Sequence, residues 1–178
     1  MDKNISINMV MSMTEPSSDF FVSLEDNVCG IRFKGFKLRD VQSGEVFHSF
    51  KAEDIYELDY FADHELSYIF PNQILKAKNL GSNLTLVVGE HLVKDLTLIE
   101  RHYIDDQLQA NYKFEFPLFM PNSENNVEFM YPVPPLSKVS QEKLQKGEDI
   151  LARSDTFIFV EGKLVIHRRA VYDYTSAV

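Results

Sequence analysis

Tryptophan is absent from this chain, cysteine occurs once, and basic residues are fewer than acidic ones. The single cysteine, Cys29, cannot form an internal disulfide, and no Cys/His cluster offers a structural zinc site. The formal net charge of −9 gives no overall basic surface for nucleic-acid phosphates, and it disfavours electrostatic docking on anionic lipid. We therefore expect no nucleic-acid partner, no metal and no other cofactor.

Long apolar runs are also missing from the sequence. No stretch approaches the roughly 18 apolar residues of a membrane-spanning helix, and no apolar run follows Met1 to mark a signal peptide. The chain has neither a glycine at position 2 nor a C-terminal CaaX box, the usual signals for lipid attachment to the protein itself. These absences predict a cytoplasmic protein that does not insert directly into a membrane.

Aromatic residues are abundant, with 14 Phe and 8 Tyr among 178 residues. This length and hydrophobic content predict one domain with an ample core. Short strand signals alternate with turn signals such as Ser43-Gly44 and Glu161-Gly162, a pattern typical of an all-β sandwich or barrel. We expect a flexible, methionine-rich arm at 1–18, a β-sandwich domain at 19–178, and one short helix at 141–146.

The segment 98–123 is the most informative part of the chain. It predicts two strands, 92–103 and 108–118, around the polar break Asp105-Asp106-Gln107. On the returning strand four large side chains share one parity and so one face: Tyr112, Phe114, Phe116 and Leu118. On the outgoing strand Glu100 and His102 end an apolar row. Such a wall suits either a sheet core or a cavity for a long apolar ligand, and the pattern alone leaves both open.

Four segments carry a resemblance to a known family. They are IRFKGFKLRDVQSG at 31–44, IERHY at 99–103 with its following F-x-F and P-N-S, YPVPPLS at 131–137, and SDTFIFVEGKLVIHRRAVYDY at 154–174. In this order they resemble the family of the GMP-phosphodiesterase delta subunit, the GDI-like solubilising factors. Within it, the myristoyl-binding, uncoordinated-type lipid chaperones are the nearest pattern. The resemblance covers about residues 20–178.

The resemblance implies an immunoglobulin-like β-sandwich with a hydrophobic lipid cavity between its two sheets. It implies a cytosolic lipid-binding chaperone that extracts and carries N-myristoylated cargo proteins and has no enzymatic activity. It further implies a GTP-bound Arf-like small GTPase as the partner that releases cargo, and a place in ciliary or flagellar traffic.

The resemblance also implies a set of lipid-binding positions. These are Phe33, Phe36, Tyr68, Phe70, Ile74, Leu80, Glu100, His102, Tyr112, Phe114, Tyr131, Phe157 and Ile158. The polar members Tyr68, Glu100, His102 and Tyr131 are expected at the cavity mouth, where they would hold the amide of the cargo. The chain departs from the family pattern at Ile158, Val133 and Ile74, which replace aromatic residues.

Three other interpretations remain open from the residues. The same sandwich could carry C-terminally prenylated (farnesyl or geranylgeranyl) proteins, or it could be a plain adaptor filled by its own side chains. Glu100 and His102 could also act as an acid/base pair of a hydrolase, although no nucleophile motif accompanies them. The acidic, aromatic loop at 52–65 is expected to be a solvated connection or a surface that favours basic cargo.

Overall fold

The structure, a computed structural model, describes residues 4–53 and 65–176 and shows an immunoglobulin-like all-β sandwich. Its described strands are β1 Arg32–Asp40, β2 Val46–Lys51, β3 Glu65–Pro71, β4 Asn79–Val87, β5 Val93–Ile104, β6 Gln107–Phe119, β7 Glu124–Pro132, β8 Ala152–Val160 and β9 Lys163–Ser176. The helices are α1 Ile7–Ser12 and α2 Lys138–Lys146, with 3-10 turns at Leu24–Asp26 and Asn72–Lys76. The predicted fold class is confirmed.

The strands form two sheets whose order fixes which side chains meet. The smaller sheet has the order β2-β1-β4-β7, and the larger has β3-β9-β8-β5-β6. Aromatic contacts join the edge strands of the two sheets along both sides of the sandwich, its two lateral seams. The ring centroids of Tyr112 on β6 and Tyr131 on β7 are 4.6 Å apart, and those of His48 on β2 and Tyr68 on β3 are 5.5 Å apart. The interior is therefore bounded by side chains along both long sides.

The hairpin of β5 and β6 forms as the sequence predicts. Asp105 and Asp106 both have positive φ, 46° and 65°, the conformation of a two-residue hairpin turn that aspartate tolerates well. The register pairs Glu100 with Tyr112 and Leu98 with Phe114. The aromatic parity of β6 consequently faces the same side of the sheet as Glu100.

Three local predictions differ from the structure. Helix α2 begins at Lys138 rather than 141, because Ser137 caps it by accepting a hydrogen bond from the Ser140 amide. The sequence also predicts strands at 20–24 and 74–78, and both predictions are wrong: residues 20–23 are irregular before the 3-10 turn Leu24–Asp26, and the 3-10 turn Asn72–Lys76 occupies most of the second segment. In the first segment, the amide of Phe21 donates to the side chain of His167 and not to a neighbouring strand.

The N-terminal residues pack against the outer face of the larger sheet. Val10 of α1 is fully buried and belongs to an apolar cluster with Ile99, Phe157 and Phe159. The guanidinium of Arg101, itself fully buried, donates to the carbonyl oxygens of Met11 and Met13 at the end of α1. The described residues of segment 1–18 thus make specific contacts with the larger sheet, and the flexibility expected for this segment stays a prediction.

Most of the predicted acidic loop at 52–65 lies outside the described residues. Among residues 4–53 and 65–176, no helix is long and apolar enough to cross a membrane. The core divides along the strands. One end of the sandwich is filled by a dense cluster that includes Leu86, Leu98, Ile158 and Ile166, and the other end holds a smaller cluster that includes Phe70 and Ile74.

Candidate functional site

A cavity of about 220 Å³ lies between the two sheets at the less filled end of the sandwich. Its wall takes side chains from both sheets, with Leu38 and Leu84 on one side and Ala110 and Ala170 on the other. Strands alternate the direction of their side chains, so each contributes every second residue to the wall. The cavity is predominantly apolar with a few polar groups, the usual character of a small-molecule site.

Ten of the thirteen predicted site residues lie at this cavity. They are Phe33, Phe36, Tyr68, Phe70, Ile74, Leu80, Glu100, His102, Tyr112 and Tyr131. They come from six strands and the 3-10 turn Asn72–Lys76, so the fold brings together residues that the sequence holds far apart. Their contact with a lipid stays a prediction.

The other three predicted residues lie elsewhere. Ile158 is fully buried in the packed end of the core. Phe114 does not line the cavity, although its ring centroid lies 4.1 Å from that of Phe129, which does. The prediction for Phe157 needs a correction: it pairs in register with Ile99 and His167 and points to the outer face, where it packs under the N-terminal residues.

Glu100 and His102 are the ionisable pair of the cavity wall. Burial raises the pKa of Glu100 to about 8, against a smaller opposing effect of the hydrogen bond from Thr156 Oγ1 to its carboxyl at 2.8 Å. Burial lowers the pKa of His102 to about 4. Their side chains keep 23% and 32% of their surface accessible, and because both line the cavity, we assign that surface to the cavity rather than to bulk solvent. Both groups are therefore uncharged at pH 7.

Tyrosine hydroxyls supply further polar groups along the wall. Tyr131 meets Ser82 at 3.1 Å and Tyr172 meets Ser154 at 2.6 Å, while Tyr112 donates to the carbonyl oxygen of Pro132 at 2.5 Å. Burial raises the pKa of each of these three phenols. At neutral pH they act as neutral hydrogen-bonding groups in an apolar surrounding.

Glu100 does not lie at the mouth of the cavity, where the resemblance leads us to expect it. Residues paired across neighbouring strands form rows that run across the larger sheet. The row that contains Glu100 lies next to the row of Leu98, Ile158 and Ile166, which belongs to the packed end of the core. Glu100 therefore lies on the inner part of the wall. Residues from the other end, such as Leu136 and Leu144, line the cavity opposite to it.

Several wall residues were missed by sequence reasoning, namely Ser82, Ser154, Thr156, Arg168 and Tyr172. Thr156 and Arg168 follow Glu100 in one row across β5, β8 and β9. The guanidinium of Arg168 lies 4.7 Å from the ring centroid of Phe33. The alternation of side chains along β8 and β9 could have identified these residues as facing the interior. The register that aligns them with Glu100, however, is set only when the sheet assembles.

A serine, a histidine and an aspartate also meet on the outer face, but not as a catalytic triad. Ser17 Oγ lies 3.2 Å from His167 Nε2, and Asp155 Oδ1 lies 3.9 Å from the same nitrogen. A triad needs the acid on the opposite ring nitrogen, and the Phe21 amide donates to that nitrogen here. All three side chains are buried, so the cluster fixes the N-terminal residues in place.

Comparison with known proteins agrees with this architecture. The family described as "GMP-PDE, delta subunit" matches residues 25–174. The chain belongs to this family. Among its relatives, Protein unc-119 of Caenorhabditis elegans is 35% identical over 177 residues, which covers 97% of this chain and 80% of the relative.

Two vertebrate relatives of the same type show a similar relationship. Protein unc-119 homolog B-B of Xenopus laevis is 32% identical over 94% of this chain and 72% of its own length. Protein unc-119 homolog B of Homo sapiens is 31% identical over 94% of this chain and 70% of its own length. The resemblance seen in the sequence is thus confirmed, and membership of this family supports a lipid-binding solubilising factor.

Proposed function

We propose that this protein is a cytosolic carrier of N-myristoylated proteins, which it holds by burying the acyl chain between its sheets. The observation that carries the proposal is the cavity itself. It is enclosed along both seams, largely apolar, and free of charge on Glu100 and His102 at neutral pH. An acyl amide needs this combination: apolar walls for the chain and neutral hydrogen-bonding groups for the amide.

Movement of a myristoylated protein from a membrane into such a cavity is physically reasonable. A single myristoyl chain holds a protein to a bilayer with an association constant of only about 10⁴ M⁻¹. Each buried methylene contributes about 0.8 kcal/mol in either environment. A carrier therefore competes through what the bilayer lacks, namely hydrogen bonds to the amide and to the first cargo residues.

We extend the proposal to a release partner, a GTP-bound Arf-like small GTPase, on the strength of the family resemblance. A carrier that binds cargo tightly needs a second ligand that favours a cargo-free conformation. A coupling free energy of about 1–3 kcal/mol is typical of such linked sites and would weaken cargo binding about 5- to 150-fold. On the same resemblance, we also propose that the carrier works in cytoplasmic traffic toward a cilium or flagellum.

Native mass spectrometry with lipidated peptides tests the proposal. The protein is mixed with a myristoylated glycyl peptide, a farnesylated peptide, and the two unlipidated peptides as controls. We expect a one-to-one complex with the myristoylated peptide alone. A complex with the farnesylated peptide instead would make the protein a prenyl carrier, and no complex with either would favour an adaptor filled by its own side chains.

A pair of variants on β6 ties the bound lipid to the cavity. Ala110 lines the cavity, and Ala110→Leu adds three carbons to the interior; it should reduce the fraction of lipid-bound protein at least tenfold, roughly the effect of 1.4 kcal/mol. Lys113 has the opposite parity on the same strand, so Lys113→Leu is the matched control and should bind as the unaltered protein does. Equal loss in both variants would argue against an interior site.

A further inference from the structure

His167 lies under the N-terminal residues on the outer face of the larger sheet and is fully buried. Its ring stacks on that of Phe157, with the centroids 4.3 Å apart. The ring centroids of Phe20 and Phe21 lie 5.3 and 5.1 Å from that of His167. The N-terminal residues therefore enclose this imidazole ring against the sheet.

The hydrogen bonds of the ring determine which of its nitrogens carries the proton. The backbone amide of Phe21 donates to Nδ1 of His167 at 3.2 Å. Because a backbone amide can only donate, Nδ1 holds a lone pair and the proton of the neutral ring lies on Nε2. Nε2 in turn lies 3.2 Å from Ser17 Oγ. The contact with Phe21 thus requires an uncharged imidazole.

Protonation of the ring conflicts with this contact. Both nitrogens of an imidazolium are donors, so a second proton would set an N–H on Nδ1 against the N–H of Phe21. The Asp155 carboxylate lies 3.9 Å from Nε2 and favours a charged ring, but it also accepts a hydrogen bond from the Ser17 amide at 2.8 Å. Since Asp155 lies beside Nε2, it does not relieve the conflict at Nδ1.

The other charges around His167 oppose an added proton or lie outside its buried surroundings. In the row across β5, β8 and β9, the cations Arg101 and Arg169 flank the single carboxylate of Asp155. A charged His167 would add to this excess of positive charge in a buried place, which is costly. The acidic residues of the adjoining N-terminal residues, 3-10 turn and β3 are exposed or bound to Ser23, namely Glu15, Asp19, Glu25, Asp26 and Glu65.

We propose that His167 is an acid-sensitive latch, which holds the N-terminal residues on the larger sheet while its ring is neutral and releases them when the ring binds a proton. Release uncovers the apolar side chains of Ile99, Phe157 and Phe159, which pack against Val10 in the docked state. The latch lies on the outer face of the sheet, so it does not depend on what the cavity binds.

Amide hydrogen exchange at pH 7.0 and pH 5.5, corrected for the intrinsic exchange rates, tests the latch. An imidazole in solvent binds a proton near pH 6.5. If the docked ring excludes that proton, the docking equilibrium constant falls about eightfold from pH 7.0 to pH 5.5. We expect a loss of protection of that size at the amides of Ser17 and Phe21, which both donate to the sheet. Unchanged protection at these two amides would overturn the proposal.

Two matched asparagine variants assign the effect to His167. In His167→Asn, the side-chain oxygen can accept from the Phe21 amide but binds no proton, so protection should be equal at the two pH values. His91→Asn removes an exposed histidine and should keep the eightfold loss. An equal loss in His167→Asn would contradict the latch.

Nitrogen-15 spectra of the histidine rings in the unaltered protein give a second test that needs no variant. At pH 7 the His167 ring should be neutral with its proton on Nε2. A charged ring, or a proton on Nδ1, would overturn the proposal even if His167→Asn does not fold.

Discussion

At the residue scale, Glu100 shows how burial changes the chemistry of a side chain. Desolvation raises its pKa from 4.5 to about 8, so the carboxyl group keeps its proton at pH 7 and can donate a hydrogen bond. His102 beside it has its pKa lowered from 6.5 to about 4 by the same cause. Although an acid and a histidine two residues apart suggest an ion pair in the sequence, the folded protein holds both groups neutral.

These shifts predict a dependence of stability on pH with a definite sign. Between pH 4.5 and 8 the folded protein holds a proton on Glu100 that the unfolded chain releases, so the free energy of unfolding falls as the pH rises. Between pH 4 and 6.5 His102 acts in the opposite direction, because the unfolded chain binds a proton that the folded protein excludes. Only the effect of Glu100 remains above pH 6.5, and we expect a loss of about 1–2 kcal/mol between pH 6.5 and 8.

Urea denaturation at pH 6.5 and pH 8 measures this loss. Glu100→Gln should abolish most of the difference between the two pH values, because glutamine does not titrate. Glu115→Gln is the matched control, since Glu115 lies on the neighbouring strand with 68% of its side chain exposed, and it should keep the full difference. If Glu100→Gln retains the same loss, the neutral state of Glu100 is not its source.

At the element scale, each face of the larger sheet has a separate role. Its inner face forms the cavity, and its outer face holds the N-terminal residues through a row in register across β5, β8 and β9, namely Arg101, Asp155 and Arg169. Asp155 accepts a hydrogen bond from the Ser17 amide at 2.8 Å. Burial by itself would raise the pKa of Asp155, but the neighbouring His167 and the hydrogen bond from the Ser17 amide outweigh it and the pKa is lowered.

Arg101 is the anchor whose removal should loosen this attachment. Its guanidinium donates to the carbonyl oxygens of Met11 and Met13 and to the Tyr103 hydroxyl, and those acceptors lose their partner in Arg101→Met. We expect a loss of about 2–4 kcal/mol in the free energy of unfolding, since hydrogen bonds to a charged group each contribute about 1.5–3 kcal/mol.

Urea unfolding with Arg39→Met as the control checks this expectation. Arg39 also makes an ion pair, with Glu128 at 2.7 Å, but both side chains are partly exposed, and such pairs contribute about 0–1 kcal/mol. Hydrogen exchange should additionally show faster exchange at the amides of Val10 and Ser17 in Arg101→Met. Similar losses of stability in the two variants would mean that burial gives Arg101 no special role.

At the scale of the whole molecule, the sandwich combines a dense end with an open one. The dense end supplies the packed core that keeps the two sheets in place, and the open end leaves apolar surface that a ligand can cover. A ligand that binds the folded state alone stabilises it by about 2.7 kcal/mol at one hundred times its Kd. For a chain of this size, each kcal/mol corresponds to about 2–4 °C in melting temperature.

We therefore expect a myristoylated glycyl peptide at one hundred times its Kd to raise the melting temperature by about 5–10 °C. Differential scanning calorimetry measures the shift, and the same peptide without the acyl group should leave the melting temperature unchanged. A shift of equal size from the unacylated peptide would place the binding on an outer surface rather than in the cavity.

The sequence by itself determined the all-β class, the β5–β6 hairpin with its turn at Asp105 and Asp106, and the single face that Tyr112, Phe114 and Phe116 share on β6. These are local properties, because strand parity and turn chemistry depend on near neighbours in the chain. The tertiary structure alone decided that Phe157 faces the N-terminal residues, that Phe114 packs against Phe129, and that Thr156 and Arg168 join the row of Glu100. Those outcomes depend on strand register and on how two sheets face each other, which are set by contacts between residues far apart in the chain.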